Sequence, residues 1–162
     1  MSTRVADGAP LLHPVALGAI GLLLVNDHVL KARWPGWLTG KLSDVAGMVF
    51  FPLLLFVIVS FVARPPSRAS RAVLVACAGV TAIAFAAVKT WPVATDAFEL
   101  ALGALRWPLA AAPALALGEQ VPALARAVVV RDASDLLALP FVAVAVGIGW
   151  RSRALSTKGS SC

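Results

Sequence analysis

Charged residues are scarce in this chain. They make up 14% of its 162 residues, whereas about a quarter of a typical soluble domain is charged, and 60% of the residues are hydrophobic. The mean hydropathy is +0.88. This composition excludes an ordinary soluble domain and indicates an integral membrane protein. Because the longest stretch outside the clear spans is itself apolar, we expect a single membrane domain over residues 1–162.

Cysteine and the common catalytic motifs are also sparse. Cys77 lies in the middle of an apolar run and Cys162 is the last residue, so the two cysteines lack the spacing of a disulfide, a redox CxxC or a metal site. The chain has no HExxH, no GxSxG, no glycine-rich phosphate loop and no histidine pair at metal-binding spacing. We therefore expect no cofactor and no metal.

Four apolar runs have the length of membrane spans, which need about 20 residues each. Ser43 is predicted to cap the second span, with Asp44 in its first helical turn. His13 and Pro14 lie in the first turn of the first span, where His13 is read as an interfacial group. The pattern predicts an all-α polytopic four-helix bundle. The predicted spans cover residues 11–30, 44–63, 72–89 and 134–150.

The stretch 96–130 is apolar but interrupted. Residues 96–107 have one apolar and one charged helical face, which is typical of a helix lying in the membrane interface. Beyond it, prolines such as Pro108 and Pro113 leave no uncharged run long enough to span. We expect an interfacial helix between spans 3 and 4, then short surface helices or a re-entrant dip. The tail, residues 152–162, is predicted to be disordered.

The basic residues predict the orientation. With four spans, the N-terminus, the 64–71 loop and the tail share one side, which carries seven basic residues against one acidic residue, while the other side carries seven of each. By the positive-inside rule both termini are cytoplasmic. Because the basic residues lie at span ends rather than on one helix face, we expect no nucleic-acid partner. The predicted location is the bacterial cytoplasmic (inner) membrane.

The boundary between spans 1 and 2 is the most polar part of the chain. A short turn holds both helix ends close together, so the polar residues there either converge on a pocket at the outer face or serve only as caps, ion pairs and anchors. Asp27 and Lys31 are four apart, as in a helical ion pair. Asn26 is read as a hydrogen bond between helices. The residues of the predicted cluster are Asp27, His28, Lys31, Lys41 and Asp44.

The second half of the chain echoes the first. LKARWP at 30–35 and SD at 43–44 are matched by VKTWP at 88–92 and SD at 134–135. If the chain is a duplicated helical hairpin, Lys89, Asp132 and Asp135 join the outer-face cluster. The alternatives are a chance repetition of tryptophan and proline at helix ends, and a simple capping role for both aspartates.

The segments NDHVLKARWPGWLTGKLSDVAGMVFFP and RDASDLLALP are similar to a pair of motifs in small bacterial four-helix integral membrane proteins. This resemblance implies a membrane fold and no particular activity.

Carboxylates, lysines and a histidine beside the headgroup region suit the binding of a charged lipid headgroup or proton transfer. We predict an accessory protein that binds membrane lipid, a membrane-protein partner or a second copy of itself through the outer-face cluster. One alternative is a small membrane enzyme acting on a lipid-linked substrate, with His28 or Asp44 as general base. Another is an oligomeric transport subunit.

Overall fold

The computed structural model describes residues 8–34, 36–66 and 69–158, with side chains up to residue 151. This part of the chain is all-α and contains no strand. Four of its five long helices are long and apolar enough to cross a membrane, which indicates a membrane protein; the exception is the helix Pro92–Ala116. The helices are α1 Pro14–Arg33, α2 Trp37–Ala63, α3 Ser70–Thr90, α4 Pro92–Ala116 and α5, a 3-10 helix at Ala133–Phe141 that continues as an α-helix at Val142–Lys158.

The apolar runs identify the four candidate spanning helices, but not all of their ends. Helix α2 begins at Trp37, so the cap predicted for Ser43 is wrong and Asp44 lies inside the helix. The helix start is held instead by the Thr39 hydroxyl, which accepts from the Gly36 N–H at 3.2 Å and donates to the Gly36 carbonyl at 2.9 Å. At the other end of the chain, α5 continues through residues 152–158, which were predicted to be disordered; residues 159–162 lie outside the described part.

Backbone contacts divide the chain into two compact units, with one boundary inside α3 and the other near the start of α5. The first contains the described residues up to Ile83 and those from Asp135 onward. Within it, α2 packs against both α1 and α5. Small residues line these contacts and let the helices approach closely. The core consists of Ala16, Ala19, Ala46, Val49, Leu53, Phe56, Val57, Leu74, Cys77, Ala145 and Ile148.

Gly149 shows how tightly this core is packed. A Cβ at this position would lie 2.5 Å from Cδ2 of Leu74 on α3, and the Leu74 side chain is fully buried. The outside of the same unit is also apolar, since Leu24, Phe61 and Val75 are at least half exposed. An apolar core inside an apolar surface is the arrangement expected of helices surrounded by lipid.

The second unit, Ala84–Ser134, contains the end of α3, all of α4 and a segment without regular secondary structure over residues 119–132. Helix α4 continues through Pro108 and Pro113. The short surface helices predicted after residue 107 are therefore wrong, because one helix extends to Ala116 and the following segment is not helical.

The segment 119–132 returns along α4, to which its backbone is hydrogen-bonded. The Glu99 carboxylate accepts a hydrogen bond from the Val129 N–H at 2.8 Å. Where the two elements are closest, a Cβ on Gly103 would lie 2.3 Å from the carbonyl oxygen of Ala125. Glycine at this position therefore permits the contact. That the two units together form a single domain stays a prediction.

Candidate functional site

The polar residues at the junction of α1 and α2 are organised around Asn26. Ala16, Ala19 and Asn26 continue one buried stripe along α1, and Asn26 is fully buried. At this residue the helix widens into a π-turn, Asn26–Leu30, in which the Lys31 N–H donates to the Asn26 carbonyl. Such turns are frequent at functional positions of helices.

A chain of hydrogen bonds leads from Asn26 to the protein surface. The Asn26 Nδ2 donates to the Thr39 carbonyl at 2.6 Å and to the Ser43 hydroxyl at 2.7 Å. The Ser43 hydroxyl donates to Oδ1 of Asp27 at 2.8 Å, and the same oxygen accepts from Lys31 Nζ at 2.6 Å. The predicted Asp27–Lys31 ion pair and the predicted hydrogen bond between helices are both present. We call these five residues the α1–α2 network.

The α1–α2 network also contains an unsatisfied atom. Within the described part of the chain, Oδ1 of Asn26 is buried and has no hydrogen-bond partner. A buried acceptor in this state costs about 1 to 3 kcal/mol. The two bonds made by Nδ2 therefore have to compensate for an orphaned oxygen on the same side chain.

A second polar contact joins α2 to α5. The Lys41 ammonium forms an ion pair with the Asp135 carboxylate, and the two side chains are only 11% and 9% exposed. Lys41 Nζ also lies 5.5 Å from the centre of the Trp37 ring, within range of a cation–π interaction. The structure thus brings together two residues of the predicted cluster that are far apart in sequence, and Asp135 pairs with Lys41 from inside α5 instead of serving simply as a cap.

Two other predicted site residues, His28 and Asp44, also lie in the first unit. His28 is exposed on the π-turn and forms no hydrogen bond with any residue that the structure describes. Asp44 is partly buried inside α2. A shared pocket of His28 and Asp44 stays a prediction.

Lys89 and Asp132 belong to the second unit and have local contacts there. Lys89 Nζ lies 5.6 Å from the centre of the Phe85 ring. The Asp132 carboxylate accepts from the Ser134 N–H at 2.8 Å, as a residue capping the start of a helix does. The predicted convergence of Lys89 and Asp132 with the residues of the first unit stays a prediction. The duplicated helical hairpin from which it was inferred also stays a prediction.

The exposed end of α1 and the start of α2 carry a different set of side chains, which we call the basic–aromatic rim: Lys31, Arg33, Trp34 and Trp37. Trp34 is 65% exposed and Trp37 is 66% exposed. Arg33 is exposed and forms no ion pair with any described residue. Tryptophan is enriched at membrane interfaces, and arginine presents N–H groups that match phosphate oxygens.

No protein-family model, curated protein or solved structure matches this chain. The similarity of its two motifs to those of small bacterial membrane proteins therefore stays a prediction. Function has to be inferred from the residues of the site and their contacts.

No group of three or more histidine, cysteine, aspartate or glutamate side chains is close enough to hold a metal within the described ranges. Two cavities of the structure lie elsewhere, one between the first turn of α1 and residues 144–151 of α5 and one in the second unit. Sequence reasoning missed Thr39 as a partner of Asn26, because the register between two helices has no local sequence signal.

Proposed function

We propose that this chain is a four-span bundle of the bacterial cytoplasmic membrane, with both termini in the cytoplasm, that binds an anionic lipid headgroup at the outer face through its basic–aromatic rim. In this role it is an accessory protein, and α4 lies in the interface. The observation that carries the proposal is the exposure of Arg33, Trp34 and Trp37 at one end of the first unit.

The distribution of charge at this end supports an anionic ligand. Lys31 is paired with Asp27, and Lys41 is paired with Asp135. These pairs balance their own charges, whereas Arg33 has no acidic partner among the described residues. A phosphate placed against Arg33 would therefore meet a positive charge that no acidic side chain neutralises. It would also accept charge-assisted hydrogen bonds from the guanidinium.

The α1–α2 network supports the proposal by fixing the rim. The hydrogen bond between Asn26 and Ser43 holds the end of α1 against α2. The backbone that carries both tryptophans is therefore held in place. Binding then costs less ordering entropy than it would on a mobile loop. Helix α1 has 20 residues, which corresponds to about 30 Å, close to the thickness of the hydrocarbon core. The rim would thus lie at headgroup level.

The enzymatic alternative has less support. A general base needs to be within hydrogen-bond reach of its proton and is normally oriented by another group. His28, one of the two candidate bases, is exposed and hydrogen-bonds no described side chain, whereas Asp44 is partly buried inside α2. We favour binding over catalysis because the rim presents exposed groups that match a lipid headgroup.

Native mass spectrometry of the full-length protein in detergent tests this proposal, with phosphatidylglycerol and phosphatidylcholine as the probes. Wild type should retain phosphatidylglycerol in preference, and Arg33→Gln and Trp34→Ala should each weaken that retention. Arg71→Gln is the matched control, because Arg71 is an exposed arginine at the start of α3. Equal retention by wild type and Arg33→Gln would contradict the proposed function.

A further inference from the structure

A groove lies between the first turn of α1 and residues 144–151 of α5, both in the first unit. It has a volume of about 260 Å³ and is lined by His13, Val15, Val144, Gly147, Ile148 and Arg151. None of these six residues belongs to the basic–aromatic rim or to the α1–α2 network. The groove is therefore a separate feature of the first unit.

The polar groups of the groove are hydrogen-bond donors. His13 Nδ1 accepts a hydrogen bond from the Val15 N–H at 3.3 Å. A neutral imidazole that accepts through Nδ1 carries its hydrogen on Nε2, which leaves Nε2–H as a donor. Arg151 is exposed and forms no ion pair with a described residue. Since the lining contains no carboxylate, the ligand it suits is an anion with several acceptor oxygens.

The rest of the groove is apolar and open. Val15, Val144 and Ile148 form its wall, and a Cβ built on Gly147 would meet no atom within 4 Å. A small hydrated anion would gain nothing from such a wall. A molecule that joins an anionic headgroup to a hydrocarbon chain would use both parts.

The position of the groove along α1 is consistent with a lipid. Eighteen residues separate His13 from Lys31 of the rim, which corresponds to about 27 Å along a helix. This is close to the thickness of the hydrocarbon core, about 30 Å. A headgroup at His13 and one at the rim would therefore lie in opposite leaflets.

We infer that this groove binds one acidic phospholipid, with its phosphate on Arg151 and His13 and an acyl chain along Val15, Val144 and Ile148. The site is separate from the rim and does not depend on the function proposed for it. Under the predicted orientation it faces the cytoplasmic leaflet.

The test measures phosphatidylglycerol and phosphatidylcholine bound to the full-length protein by native mass spectrometry. Arg151→Gln should weaken phosphatidylglycerol binding about tenfold or more, since it removes a charge-assisted hydrogen bond. Gly147→Leu should do the same by filling the groove, and leucine favours the helix more than glycine does. Arg71→Gln should leave phosphatidylglycerol binding unchanged. Arg151→Gln should still lower it when added to Arg33→Gln, so that loss of the groove site is seen separately from loss of the rim site.

Several results would overturn the inference. One is that Arg151→Gln binds as much phosphatidylglycerol as the wild type does. Another is that the wild type binds phosphatidylcholine and phosphatidylglycerol equally. Thermal stabilisation by inorganic phosphate equal to that by the lipid would also overturn it, because the apolar wall would then contribute nothing. Unfolding temperatures of both variants identify a misfolded protein, and if Gly147→Leu does not fold, Arg151→Gln alone decides.

Discussion

Replacing Lys41 by methionine should be one of the most damaging single changes to the first unit. Lys41 and Asp135 form an ion pair between α2 and α5, with side chains only 11% and 9% exposed. Removing one member of a buried pair typically costs about 3 to 5 kcal/mol, because the remaining charge stays buried without its counter-ion. We expect Lys41→Met to lower the free energy of unfolding by this amount.

The exposed pair on α1 provides the matched control. Lys31 and Asp27 are 42% and 48% exposed, so Lys31→Met should cost less than about 1 kcal/mol. Combining Lys41→Met with Asp135→Leu removes both buried charges and should recover most of the loss.

Unfolding of the purified protein by SDS in mixed micelles, followed by tryptophan fluorescence, measures all these variants. The reasoning is refuted if Lys41→Met lies within about 1 kcal/mol of wild type, the range of an exposed pair. It is also refuted if the double variant is no more stable than the single one.

Three further changes test the packing and hydrogen bonding. Asn26→Leu should lower the free energy of unfolding by about 1 kcal/mol, since it removes two hydrogen bonds to α2 but also an orphaned acceptor; unchanged stability in SDS titration would contradict this. Gly149→Ala should cost about 1 to 3 kcal/mol by the same titration, because the new Cβ would collide with the buried Leu74, and a gain in stability would contradict it. Gly103→Ala should detach the segment at Ala125 from α4 and speed amide exchange over residues 119–132, whereas wild-type exchange would contradict the close contact.

The sequence predicts the four candidate spanning helices well because an uncharged run of about 20 residues is typical of a helix that crosses a membrane. It fails at the start of α2 because Lys41 and Asp44 interrupt the uncharged run. Lys41 is tolerated inside a helix because it pairs with Asp135, a residue far away in sequence. Counting the charges near Lys41 in the sequence cannot predict this pairing.

The candidate site could be predicted only in part. The Asp27–Lys31 pair follows from a spacing of four residues on one helix. The contacts of Asn26 with Thr39 and Ser43 depend on the register of α1 against α2, which a single sequence does not specify. Residues 119–132 are equally hard to predict, because their backbone is held by Glu99 and by the absence of a side chain at Gly103.

The rim and the α2–α3 connection are expected to lie on opposite sides of a membrane, and the proposed role of the rim depends on this. Labelling of single-cysteine variants with a membrane-impermeant maleimide measures this directly, after Cys77→Ala and Cys162→Ser remove the native thiols. Trp37→Cys should react in intact spheroplasts, and Ala69→Cys should react only after the membrane is permeabilised. Reaction of both positions from the same side would contradict the orientation and, with it, the assignment of the rim to the outer face.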